Sequence, residues 1–130
     1  MTPKNFISFS AQNAERTDYL VAGEKMIRGD GHQSTLNMFS DPNNEFHCGI
    51  WEGSPALWRV SYSENEFCHI LQGRIQITDE AGTSITVGPG DNFVISAGFK
   101  GTWETLETAK KISGVGKQRK FSGFGPWLSR

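Results

Sequence analysis

Residues 62–103 read Y-S-E-N-E-F-C-H-I-L-Q-G-R-I-Q-I-T-D-E-A-G-T-S-I-T-V-G-P-G-D-N-F-V-I-S-A-G-F-K-G-T-W. Short runs rich in Ile, Val, Thr and Phe (67–71, 74–78, 83–87 and 92–95) are cut by Gln72-Gly73, Asp79-Glu80-Ala81-Gly82 and Gly88-Pro89-Gly90-Asp91. Such residues suit a pleated, half-buried surface, and Gly, Pro and Asp suit the turns between strands. The stretch therefore predicts an all-β fold, a barrel or two-sheet sandwich, with Gly73 and Gly90 at turns and Asp91 opening a strand. Short strands at even spacing close or double-layer their sheet edges in this way.

Working outward, residues 56–62 alternate imperfectly and read as a further strand, and residues 102–106 lead toward Lys110-Lys111-Ile112. Residues 1–48 show little periodicity. They read as an extended N-terminal arm with one or two strands, packing on the barrel or on a partner subunit, with a turn at Asp41-Pro42-Asn43-Asn44. Residues 49–115 form the barrel core. In the tail, 116–130, Lys117, Arg119, Lys120 and Arg130 alternate with Phe121, Phe124 and Trp127, as expected of a segment packed on the barrel or a second subunit.

The 130 residues suffice for one domain that removes roughly two-thirds of its unfolded surface from water. A net charge of −1 provides no global field for nucleic acid or an anionic membrane, so neither partner is expected. No run of about 18 apolar residues spans a bilayer. The first residues lack the apolar core of a signal peptide, and the two cysteines, Cys48 and Cys68, read as reduced thiols in a cytoplasmic protein.

The spacing of Glu66 to Gly73 through Ile70-Leu71-Gln72, and Gly90-Asp91 followed by Ser96-Ala97-Gly98, resembles the two motifs of the cupin superfamily. Gly49-Ile50-Trp51-Glu52-Gly53-Ser54-Pro55, Trp103 and Lys110-Lys111 resemble the cupin subgroup that includes ureidoglycine aminohydrolase-like and ethanolamine-utilisation-like domains. The resemblance covers roughly residues 49–112 and implies a single jelly-roll β-barrel. It also implies three metal-binding histidines beside the glutamate, at positions held here by Val60, Tyr62 and Gly101; Glu66 alone survives of the four ligands. No metal and no cofactor are therefore expected.

Side chains two apart on a strand share a face. If Glu66 points into the barrel, Cys68 and Ile70 do too, while Phe67, His69 and Leu71 point out. His69 is then an outer-face histidine. His47, Cys48 and Glu66 remain an unconventional alternative set of metal ligands. A carboxylate facing an apolar interior must be paired, hydrogen-bonded or protonated; Tyr62, Arg59 and Lys111 are candidate partners, the last by the resemblance. Glu66 reads either as a catalytic or as a structural carboxylate. Trp103 reads as ligand contact or core filler, its ring leaning into space left by Gly101. Trp51 and Trp58 read as packing residues, and Cys68 as a small core residue.

The expected function is binding of a small polar metabolite by Tyr62, Glu66, Trp103 and Lys111 without a metal centre, in a sensor or accessory protein. The alternative is an enzyme using Glu66 as general acid or base on a small nitrogen-containing or sugar-derived substrate. A homodimer is expected in either case, because cupins commonly pair through their outer sheets.

Overall fold

The computed structural model describes residues 2–118. Nine strands follow in order: β1 (Glu15–Leu20), β2 (Met26–Gly29), β3 (His32–Ser40), β4 (Phe46–Gly53), β5 (Ala56–Ser61), β6 (Glu64–Asp79), β7 (Ser84–Val87), β8 (Asn92–Ile95) and β9 (Lys100–Lys117). Among the described residues there is no helix, and so none long and apolar enough to cross a membrane. The strands form one curled sheet ordered β1-β3-β4-β9-β5-β2, with β6 paired along β9 and carrying β7 and β8 on its other side.

The expected turns form at residues 41–44, 79–82 and 88–91. Asp41 accepts from the Glu45 and Phe46 amides, Asp79 from those of Ala81 and Thr83, and Asp91 from that of Gly88. Gly90 sits at its turn with φ +91°, and Asp91 immediately precedes β8.

Gly73 is a correction. It is not a turn: β6 runs unbroken from Glu64 to Asp79. Gly73 lies instead where the pairing with β9 slips, between Ile70↔Lys111 and Ile75↔Thr105. Its φ of +87° and the crowding a Cβ would meet from the Thr108 carbonyl and Ala109 restrict the position to glycine. The slip reverses the side-chain parity of β6. Glu66, Cys68 and Ile70 are buried before it, Ile75 and Ile77 after it, and Arg74 stays in water.

Residues 1–48 contribute β1, β2, β3 and the start of β4, more than the one or two strands expected of that region. Of the tail, residues 119–130, with Phe121, Phe124 and Trp127, lie outside the described residues. The core packs Trp51, Trp58 and Trp103 with Ile70, Ile75, Ile77, Val87, Ile95 and Ala109 inside the curl.

Candidate functional site

Antiparallel register brings the site together. Across the inner face, one row of the sheet runs Thr35↔Trp51↔Lys111↔Ile70, and two rows along runs Ser40↔His47↔Val115↔Glu66↔Ile95. Lys111 rises from the first row and its flexible stem carries the ammonium to the second. There Nζ donates to Glu66 Oε2 at 2.7 Å, and Ser113 Oγ donates to the same oxygen at 2.8 Å. Both ends of the pair are buried, at 8% exposure for Glu66 and 5% for Lys111. The Lys111 ammonium also lies 4.6 Å from the Trp103 ring centre and 5.1 Å from that of Trp51, and 3.8 Å from Cys68 Sγ. Each ring face adds about 0.5–2 kcal/mol of attraction for a desolvated cation.

The electrostatics follow from this packing. Burial alone raises the Glu66 pKa, but the Lys111 charge and hydrogen bonds from Lys111, Ser113 and Tyr62 outweigh it and hold the carboxyl below its ordinary range. Burial alone lowers that of Lys111, and the Glu66 carboxylate reverses the sign. The pair is therefore fully charged at neutral pH. Burial, with Glu66 nearby, pushes the Tyr62 phenol far up, and burial pushes the Cys68 thiol to about 11, so neither ionises near neutrality.

A cavity of about 210 Å³ opens on one side of the pair, lined by Trp58, Val60, Tyr62 and Trp103 along with Glu66 and Lys111. Tyr62, Glu66, Trp103 and Lys111 thus share one chamber. Trp58 stacks on Trp103 at 6.3 Å, Trp51 meets it edge-on at 5.8 Å, and Trp103 Nε1 donates to Thr105 Oγ1. Trp51 exceeds its expected packing role, because its face holds the ammonium while its Nε1 donates to Gln33 Oε1 at 2.6 Å.

Two sequence readings change. Arg59 is exposed between the inward Trp58 and Val60, and Lys111 takes the partnership with Glu66. Gly101 does not make room for the Trp103 ring: a Cβ there would strike the Thr78 carbonyl, so β6 and not the indole requires the glycine. Sequence reasoning also missed Tyr19, Gln33 and Ser113. Ser113 was within reach, two residues from Lys111 on the same strand face. Tyr19 was not, since it lies on an edge strand exposed along its length, yet its ring lines three cavities and its hydroxyl bonds Thr35 at 3.0 Å.

His69 faces outward and bonds Asn92 Oδ1 at 2.6 Å. The residues present do not fit a metal centre. The histidine positions hold Val60, Tyr62 and Gly101, Glu66 is engaged by Lys111 and Ser113, and among the described residues no three His, Cys, Asp or Glu side chains converge. Cys48 adjoins the inward-facing His47 in β4 and so projects from the opposite face of the strand, which separates the two as joint ligands.

Residues 40–112 match the EutQ-like cupin domain. Among solved structures, the chain is similar to the Clostridium difficile EutQ protein, at 14% identity over 83% of this chain and 98% of that one, with a TM-score of 0.62. It is similar to a protein of unknown function from Pseudomonas syringae pv. tomato at 22% identity, over 78% of this chain and 44% of that one, with a TM-score of 0.67. It is also similar to the Schizosaccharomyces pombe Cnp3 cupin domain at 14% identity, over 82% of this chain and 88% of that one, with a TM-score of 0.59. At these identities the likeness is one of fold. No curated protein sequence matches the chain.

Proposed function

Because the chain belongs to the EutQ-like cupin domain family, with the single all-β jelly-roll domain of that family, we propose that it binds a small polar metabolite inside the barrel without a metal, at the Glu66–Lys111 pair. The observation carrying this reading is the buried ammonium, held by two indole faces and by a carboxylate that also accepts from the Ser113 hydroxyl, beside a 210 Å³ chamber. It supplies the interior with a fixed, internally neutralised ion pair. A pocket with an aromatic wall and a few convergent polar groups is the usual form of a small-molecule site.

The enzymatic alternative, Glu66 as general acid or base on a nitrogen-containing or sugar-derived substrate, draws on the finer resemblance to ureidoglycine aminohydrolase-like domains. The electrostatics favour binding instead. A carboxyl held below its ordinary range is a weak base and carries no proton to donate at neutral pH, and a lysine held above its range is a poor nucleophile. The reading includes a cytoplasmic homodimer that engages neither nucleic acid nor membrane. The outer face of β4, β6 and β8 supports a second copy of the chain as partner, since it exposes Phe46, Phe67, Leu71 and Val94.

Replacement of Glu66 by Gln keeps size and removes charge. Metabolites from a library that raise the melting temperature of the wild type are expected to lose that effect in Glu66→Gln while the fold persists. Unchanged shifts would make the carboxylate purely structural.

A further inference from the structure

On the β3–β4 side of the pair lies a second cavity of about 220 Å³, whose lining includes Asn37, His47, Ser113 and Val115 as well as Glu66 and Lys111. The backbone is shaped around it. A bulge in β3 between Asn37 and Phe39 turns both Asn37 and Ser40, three residues apart, toward the inner face, opposite Gly49 and His47. Gly49 fits beneath the bulge, where a Cβ would strike the Leu36 carbonyl oxygen. The bulge lets the Asn37 amide donate to Ser40 Oγ at 3.1 Å, with His47 Nδ1 2.8 Å from the same oxygen. Asn37 uses one lone pair of the Ser40 hydroxyl, which keeps its proton and a second lone pair and so can hold His47 Nδ1 in either tautomer. His47 Nε2 has no partner among the described residues.

We propose that this chamber is a second binding subsite, which takes a neutral polyhydroxylated group between His47 and Asn37 at one end and the Glu66–Lys111 pair at the other. The inference rests on the reading of that pair as a binding centre and extends it to the class of ligand. Charge decides the class first. Among the described residues, Glu66 and Lys111 are the only carboxylate and ammonium lining the chamber, and each neutralises the other. A charged ligand would find no free counter-charge and would leave its own charge desolvated. Hydrogen-bonding capacity decides it second. His47 Nε2 donates or accepts according to its tautomer, Asn37 Oδ1 accepts, and Ser113 Oγ keeps lone pairs after donating to Glu66. A hydroxyl both donates and accepts, and so answers such alternation with one kind of group. Val115 and the Trp51 ring provide apolar surface for the C–H faces of a polyol or sugar.

The test uses glycerol, xylitol, D-ribose and D-glucose as probes, with glycerate and glucosamine as charged comparators, added to wild-type protein while the His47 imidazole resonances are followed by NMR. The neutral compounds are expected to move the His47 signals in a saturable way and the charged ones to move them less. His47→Leu and Asn37→Ala are each expected to weaken the best probe roughly tenfold, the loss of about one good hydrogen bond, with Ser40→Ala, which frees the ring, reducing it by less. Should His47→Leu prove unfolded, Asn37→Ala and Ser40→Ala carry the same comparison. No neutral probe moving His47, or charged compounds binding more tightly, would overturn the subsite. If Glu66→Gln weakened the probes while the His47 and Asn37 variants did not, the subsite would fall and the proposed function would stand. The reverse pattern would retain the chamber and remove Glu66 from the binding centre.

Discussion

The two halves of the β6–β9 ribbon face the same interior and do opposite things. Beyond Gly73, β6 turns Ile75 and Ile77 inward against Trp103 and Val87, a dry core that needs no partner beyond its neighbours. Before Gly73 it turns in Glu66 and Cys68, and β9 answers with Lys111 and Ser113. Without the slip at Gly73, the even-numbered parity that places Glu66 inside would carry on to Arg74 and Gln76. The run of register slips between Ile70 and Ile75, with Gly73 within it, therefore allows a polar site and an apolar core to be built from the same pair of strands. A buried ion pair is seldom a net source of stability, because desolvation offsets its attraction, which is in keeping with the binding role proposed for the polar half.

The sharpest way to break this contrast is to fill the glycine. Gly73→Val would set a β-branched side chain at φ +87° against the Thr108 carbonyl. It is expected to cost at least about 4 kcal/mol in urea unfolding, or to prevent folding. A near-neutral result would show that the slip is not needed to separate the halves.

Lys111→Met should come next. It leaves a buried carboxylate without its cation, which costs about 3–5 kcal/mol, whereas Glu66→Gln combined with Lys111→Met should recover most of that loss. A double-mutant cycle by chemical denaturation measures the difference. The corresponding test in the dry half, Ile77→Val, should cost only about 1 kcal/mol.

The dependence of stability on pH distinguishes the halves without mutation. The Glu66 pKa is depressed on folding, so its contribution is present above the ordinary value of 4.5 and lost as pH falls through the native value. Lys111 is raised, so its contribution is complete below 10.5 and lost as pH rises through its native value. Cys68 moves from 9.0 to about 11, so between those values the unfolded chain releases a proton that the native one retains, and stability falls by about 3 kcal/mol. Melting temperatures should therefore hold from weakly acidic pH to about 9 and decline beyond it, with a shallower alkaline decline in Cys68→Ala. The smallest effect is expected at the cover of the site. Tyr19→Ala should change stability by less than about 1 kcal/mol, since β1 is exposed throughout, yet it should weaken any ligand that binds beneath the ring.

The apolar half was far more legible in the sequence than the polar one. Turn chemistry at residues 79–82 and 88–91 and the alternation of 74–78 are local signals, and the strands between them follow directly. The inward parity of Glu66, Cys68 and Ile70 could be followed as far as Gly73, where a glycine at a bulge and a glycine at a turn look alike in sequence. Lys111 came from the family resemblance. Tyr19, Gln33 and Asn37 were hidden because their strands carry little hydrophobic periodicity, and the orientation of Asn37 and Ser40 depends on a bulge that only the pairing of β3 with β4 reveals. The cage of Trp51 and Trp103 around one ammonium likewise depends on register between distant strands.

The claim on which the rest depends is that Glu66 and Lys111 form a charged pair inside the barrel, and the measurement that tests it most directly is a carbon-detected NMR titration of the Glu66 side-chain carboxyl. The account requires a midpoint below 4.5 in the wild type, moving upward past that value when Lys111 is replaced by Met and burial acts unopposed. A midpoint above 4.5 in the wild type, or one that Lys111→Met leaves in place, would contradict it.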